Sequence, residues 1–248
     1  MNNKKVFSTR SIASMGIFSA IVLMLSLTPL GFIPIGGIVA TTLHIPVIIA
    51  AIYYGPAIGS MVGLVFGVFS LLRAATAPTV LSFISLNPLC SVLPRVLIGF
   101  ISGSLYKILK DKQKETLRKY LIIFYIFIIF VLIFSIFNRI KNEKSILLMA
   151  ILALILIIFM VLTLLKTKDM NLSIVISAAS GSLVNTFGFL SMAYLLYAKE
   201  YAEALSIDRS NVLSAIVSVG LINGAPELIL AILISYSVIK TMLKAKRR

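Results

Sequence analysis

Runs of about twenty apolar residues recur along almost the whole chain, and no other feature limits its possible folds so tightly. Most runs are long enough to cross the ~30 Å hydrocarbon core of a bilayer as a helix. The runs are continuously apolar and do not alternate with polar residues, so they read as helices and not as strands of a membrane barrel. We count eight, at about 11–30, 38–54, 57–73, 83–106, 120–138, 145–165, 172–197 and 212–239. The second and third are short and flank a tight turn at Tyr54-Gly55-Pro56. A mean hydropathy of +1.08 with only 12% charged residues excludes a soluble domain. The expected class is an all-α polytopic membrane protein.

The net charge of +15 does not point to nucleic acid. There is no basic face and no aromatic interleaving; the basic residues gather at the ends of spans, as the positive-inside rule expects. With the N-terminus inside, the inner segments hold sixteen Lys and Arg and the outer segments six. Both termini are therefore expected in the cytoplasm of a multi-pass plasma-membrane protein. The outer loop with Arg139, Lys141 and Lys144 runs against that bias. Lys4, Lys5 and Arg10 precede the first run as in a signal peptide, but the run extends to Leu30 without a cleavage motif. It is read as a retained span.

Glycine and proline divide the chain into three parts. No glycine occurs between Gly103 and Gly181, and no proline between Pro94 and Pro226. Spans five and six fill that gap. Leu121–Phe137 is almost wholly Ile, Leu, Phe and Val. Small residues let transmembrane helices approach closely, so their absence predicts a lipid-facing hairpin added to a six-helix core. The expected organisation is 1–106 for core helices one to four, 107–171 for a basic linker and the inserted hairpin, and 172–248 for core helices five and six with a basic tail. No internal repeat is found, which weighs against a repeat-built secondary transporter.

Two charges fall deep inside apolar runs, each beside a proline: Leu93-Pro94-Arg95 and Ala225-Pro226-Glu227. A charge at a helix centre costs roughly 2.5–3.5 kcal/mol on insertion scales. Such a cost points to an ion pair between helices, a substrate site or an ion path. At 1.5 Å per helical residue, Arg95 lies roughly 18 Å and Glu227 roughly 22 Å from the outer edge, which allows a pair. His44, Asn87, Asn185 and Asn223 are the other strongly polar residues within spans. If these groups converge, they form a polar pocket that opens outward. His44 is the sole histidine and Cys90 the sole cysteine, so neither a His-cluster metal site nor an internal disulfide is expected. No catalytic or nucleotide-binding motif is present.

Small residues form two patterns. Span three reads Gly55-x-x-x-Gly59-x-x-x-Gly63-x-x-x-Gly67, and span four carries Gly99-x-x-x-Gly103. Internal helix packing is the expected use of both. Span one carries Ala13, Gly16 and Ala20, a face suited either to internal packing or to docking on another membrane protein. The apolar, turn-rich segment Thr28–Gly37 reads as a lid over an outward pocket.

Several blocks carry a family resemblance. They are Leu30-Gly31-Phe32-Ile33-Pro34-Ile35-Gly36, Thr41-Thr42-Leu43-His44-Ile45-Pro46, Gly55-Pro56, Asn87-Pro88, Pro94-Arg95-x-x-x-Gly99, Asn185-Thr186 and Asn223-Gly224-Ala225-Pro226-Glu227. Together they resemble the substrate-specific (S) subunit of energy-coupling factor (ECF) vitamin transporters, over about residues 11–106 and 172–243. The Asn-Thr and Asn-Gly-x-Pro-Glu blocks resemble the pantothenate-type branch most. The His-Ile-Pro and outer-loop blocks are shared with the riboflavin branch. The resemblance implies a six-helix subunit that binds its vitamin from outside, beneath the loop joining its first two helices. It implies a transmembrane coupling subunit and two ATPase subunits as partners, with membrane lipid around the chain. No cofactor would then sit in this chain, and ATP would be used by the partners. The docking face would map to Ala13, Gly16 and Ala20. Substrate contacts would come from His44, Asn87, Arg95, Asn185, Asn223 and Glu227, with Phe32 at the lid. The rival readings are a proton-coupled secondary transporter using Glu227 and a non-transport sensor or assembly protein.

Overall fold

Close contact between glycine-bearing helices organises this molecule. A computed structural model of the chain describes residues 8–35, 38–141, 147–167 and 170–246. Lys4, Lys5, Gly36, Gly37, Lys144, Lys168, Arg247 and Arg248, used in the sequence reading, lie outside the described residues. The order is α1 (Thr9–Ser26), β1 (Phe32–Ile35), β2 (Ile38–Thr41), α2 (His44–Tyr54), α3 (Pro56–Thr76), α4 (Ser82–Ser85), α5 (Pro88–Ser91), α6 (Leu93–Leu109), α7 (Lys114–Lys141), α8 (Leu147–Leu165), α9 (Leu172–Leu205) and α10 (Val212–Lys246). Six helical stretches among the described residues are long and apolar enough to cross a membrane: Thr9–Ser26, Pro56–Thr76, Pro88–Leu109, Lys114–Phe137, Leu172–Leu205 and Arg209–Lys246.

The fold departs from the expected one at two places. Thr28–Gly37 is not a simple loop: β1 and β2 pair antiparallel, with Phe32 opposite Thr41 and Ile35 opposite Ile38. The expected all-α chain therefore carries a small β-hairpin between its first two helices. The fourth run is also broken, into α4, α5 and α6. Pro88 and Pro94 each stand in the first turn of the next segment. A proline there lacks only an N–H that the helix would not use, and it biases the preceding residue away from helix.

The glycine stripe of α3 is a packing seam. A β-carbon on Gly59 would collide with Ala51 of α2, one on Gly63 with the carbonyl of Arg95, and one on Gly67 with Val92. Across the seam, a β-carbon on Gly99 would strike the backbone of Gly59, and one on Gly103 that of Pro56. Backbone thus meets backbone where α3 crosses α6, the geometry that small-x-x-x-small spacing permits. One result concerns function directly: the main chain of Arg95 is held against Gly63.

The sequence between α6 and α9 is built differently. Along α7, Leu117, Leu121, Tyr125, Ile128, Leu132 and Ser135 are buried at helical spacing. The remaining large residues there, Ile123, Phe130 and Phe134 among them, are exposed apolar surface that suits acyl chains. The Tyr125 hydroxyl and Thr163 Oγ1 lie 2.6 Å apart in a hydrogen bond that joins α7 to α8. At the two ends of this segment, Ser173 Oγ donates to the Leu109 carbonyl at 3.0 Å.

Candidate functional site

A polar cavity of about 210 Å³ lies among α1, β2, α3, α6 and α9. Its volume is below the ~300–1,000 Å³ typical of drug-sized ligand sites, so it suits a smaller molecule. Arg73, Arg95, Asn185 and Thr41 contribute polar groups, joined by hydroxyls of Ser70, Thr79, Ser82 and Ser85. Among the described residues, no carboxylate lines it. A larger apolar cavity of about 330 Å³ lies between α7–α8 and α9–α10, walled by residues such as Phe127, Leu156, Leu190 and Leu213. It gathers no set of converging polar groups, so the smaller cavity is the candidate site.

Arg95 enters the cavity from the first turn of α6. Its Nη1 donates to the Cys90 carbonyl at 2.7 Å. Its guanidinium lies 5.5 Å from the ring centre of Phe66 and 4.9 Å from that of Phe189. Two aromatic faces within about 6 Å stabilise a cation and fix its plane. Its buried Nε has no hydrogen-bond partner among the described residues. Asn185 is one turn before Phe189 on α9, on the same face. It is 7% exposed, and its Oδ1 is likewise unpartnered.

The pair allowed by the depth estimate does not form. Arg95 and Glu227 make no ion-pair contact, because both carboxylate oxygens of Glu227 are engaged elsewhere. Oε1 accepts from the Thr41 N–H and the Thr41 hydroxyl, both at 2.8 Å, and Oε2 accepts from the Thr186 hydroxyl at 3.3 Å. Glu227 is 5% exposed and does not line the cavity.

Sequence comparison bears on this arrangement. Residues 10–239 match the family model for the ECF transporter, substrate-specific component. The chain belongs to that family. It is also 34% identical over 119 residues to the pantothenate transporter PanT of Leuconostoc mesenteroides subsp. mesenteroides. That match takes in 45% of this chain and 57% of the relative, so the chain spans little more than half the length of the curated protein it matches. That family consists of substrate-specific components of membrane transporters, not of enzymes.

The other expected site residues of this S component are dispersed. Asn87 caps α5: its Oδ1 accepts from the Leu89 N–H at 2.9 Å and its Nδ2 donates to the Tyr197 hydroxyl at 3.0 Å. It stands where α9 leaves helical geometry, at Tyr197. Asn87 is thus engaged in structure and does not line the cavity. His44 is fully buried at the start of α2, and neither ring nitrogen has a partner among the described residues. It too lies outside the cavity lining, as does Asn223, half-buried one turn before Glu227. Phe32 opens β1, opposite Thr41, and its side chain lies outside the described residues.

Arg73 is the cavity residue that the sequence reading missed, having counted it as an outer basic residue. Its Nη1 donates to the Ser26 carbonyl at 2.9 Å, at the C-terminal end of α1, where a cation also suits the helix dipole. The signal was present in the spacing: Phe66, Phe69, Ser70, Arg73, Ala74 and Ala77 form one helical stripe, and all six line the cavity.

Ala13, Gly16 and Ala20 form one exposed face of α1. A β-carbon on Gly16 would meet nothing within 4 Å. Of the two uses open to this face, internal packing is not the one observed.

Proposed function

We propose that this S component captures a small anionic vitamin, pantothenate in the first instance, and delivers it as the binding subunit of an ATP-driven importer. One observation carries the cargo reading: Arg95, with its Nε unpartnered among the described residues, borders a polar cavity that it shares with Asn185 and several Ser and Thr hydroxyls. A ligand carboxylate would meet Arg95 in the charge-assisted geometry that guanidinium groups favour. Pantothenate also carries an amide and two hydroxyls, which Asn185 and the surrounding Ser and Thr hydroxyls can match. The similarity to a pantothenate transporter supports the same cargo. Riboflavin is the alternative, and its larger, flatter ring system fits the small cavity less well.

Family membership supports the partners: a transmembrane coupling subunit and two ATPase subunits, which would hydrolyse the ATP. The open face of Ala13, Gly16 and Ala20 is the proposed docking surface. We further propose eight spans with both termini in the cytoplasm. In that arrangement 1–106 and 172–248 form the transport core, and 107–171 is a linker with an added hairpin.

The test is binding of labelled pantothenate to the purified chain in nanodiscs, with riboflavin and other vitamins as competitors. Sub-micromolar binding displaced only by unlabelled pantothenate is the expected result. Displacement by riboflavin alone would reassign the cargo, and no binding across the panel would overturn the capture role. Uptake into vesicles by the lone chain under a proton gradient would instead favour the secondary-transporter reading.

A further inference from the structure

Glu227 is a buried carboxylate that touches neither Arg95 nor the cavity, yet it takes three hydrogen bonds from two other elements. Thr41 gives it both a backbone N–H and a hydroxyl, and Thr186 gives a hydroxyl. Thr41 is the last residue of β2 and lines the cavity; Thr186 stands on α9 beside Asn185, which also lines it. One carboxylate on α10 therefore joins the β-hairpin to α9 just behind the cavity wall. In a membrane interior an unpaired backbone N–H costs several kcal/mol, and a strand edge has such donors where a helix does not. An ionised carboxylate is acceptor-only, with room for about four donors, so it can take all three at once. Pro226, immediately before it, has no N–H of its own to compete.

We propose that Glu227 is a positioning residue for the ligand site: it fixes Thr41, and with it the hairpin wall of the cavity, and so sets how long a ligand stays bound. It acts through Thr41 and does not contact the ligand. The inference rests on the capture reading above, but the fixing of Thr41 can be measured without a ligand.

The experiment compares the wild-type chain with Glu227→Gln and Glu227→Ala in nanodiscs. It has two readouts: amide hydrogen exchange over residues 38–41 and the dissociation rate of labelled pantothenate. Glutamine retains a carbonyl oxygen for Thr41 and an amide that Thr186 Oγ1 can accept, so it should keep the exchange protection and most of the residence time. Alanine should lose the protection and release pantothenate about tenfold faster or more, since it leaves the Thr41 N–H and hydroxyl without their acceptor. If Glu227→Ala does not fold, Thr41→Val takes its place; it removes the hydroxyl donor and should raise exchange at the same amides. Unchanged protection in a folded Glu227→Ala chain would overturn the proposal. Faster release with protection intact would also overturn it, since Glu227 would then be a direct ligand contact. If the wild-type chain binds no pantothenate, the cargo reading fails, while the exchange result still decides the role of Glu227.

Discussion

Arg95 combines a position fixed from behind with a charge left open in front. Its main chain abuts Gly63, its Nη1 is held by the Cys90 carbonyl, and its guanidinium lies over the rings of Phe66 and Phe189. A group so constrained is ordered before any ligand arrives, which lowers the entropy lost on binding. Replacing Arg95 by Ala should weaken pantothenate binding at least tenfold, about 1.4 kcal/mol, in equilibrium titration. Lysine should not restore it, because a point charge on a flexible stem cannot stack between two rings as guanidinium does. Equal affinity in the Arg95→Ala chain would remove this residue from the site. At this scale the sequence was partly legible. The cost of burying charge singled out Arg95 and Glu227, but charge and depth alone could not reveal what holds them. Glu227 found its donors on Thr41, which sits far away in sequence on a strand that no helical pattern predicts. His44 and Asn87 stood out as rare polar residues in apolar runs, and neither reaches the cavity.

The spacing of small residues was more informative for elements. Gly59, Gly63 and Gly67 on α3 and Gly99 and Gly103 on α6 were expected to pack helices, and each would collide with a neighbour if it carried a side chain. Gly16 has the same four-residue pattern with Ala20, yet a β-carbon there would meet nothing within 4 Å among the described residues. The motif reports a smooth face; only the fold says whether that face is already covered. This contrast makes a paired prediction. Gly63→Leu should lower thermal stability, by about 1–3 kcal/mol or more from overpacking, and should weaken binding as well because Arg95 must shift. Gly16→Leu should alter neither property, yet should reduce vitamin uptake by vesicles that also hold the coupling and ATPase subunits. Full uptake by the Gly16→Leu chain would argue against docking through α1. The elements least legible from sequence were β1 and β2, since Phe32-Ile33-Pro34-Ile35 carries apolar residues on both faces and a proline that cannot donate to a ladder.

For the molecule as a whole, the proposed transport core comprises α1–α6, α9 and α10, and α7 and α8 pack against α9 and α10. The absence of glycine and proline between Gly103 and Gly181 marked the change in character. The exposed apolar surface of α7 suits lipid, while its buried face and that of α8 join the same core as α9 and α10, and Tyr125 bonds α7 to α8 through Thr163. We expect a chain in which residues 110–171 are replaced by a short Gly-Ser linker to fold and to bind pantothenate within about threefold of the full-length affinity, about 0.65 kcal/mol. Loss of binding with the fold intact would mean that the hairpin shapes the site. The hydrogen bond from Ser173 to the Leu109 carbonyl explains why so large a removal is feasible. In the proposed arrangement the chain leaves the core at Leu109 and re-enters it at Ser173, and because these two residues are hydrogen-bonded the excursion has little end-to-end displacement. Closing a loop costs free energy that grows only with the logarithm of its length, about 0.6 kcal/mol per doubling. Stretching a turn of a few residues to about sixty is some four doublings, or roughly 2–3 kcal/mol if the excursion were flexible. A core of this kind can therefore accept long additions between α6 and α9 at small thermodynamic cost, and that junction is where a reporter domain or an affinity handle would disturb transport least.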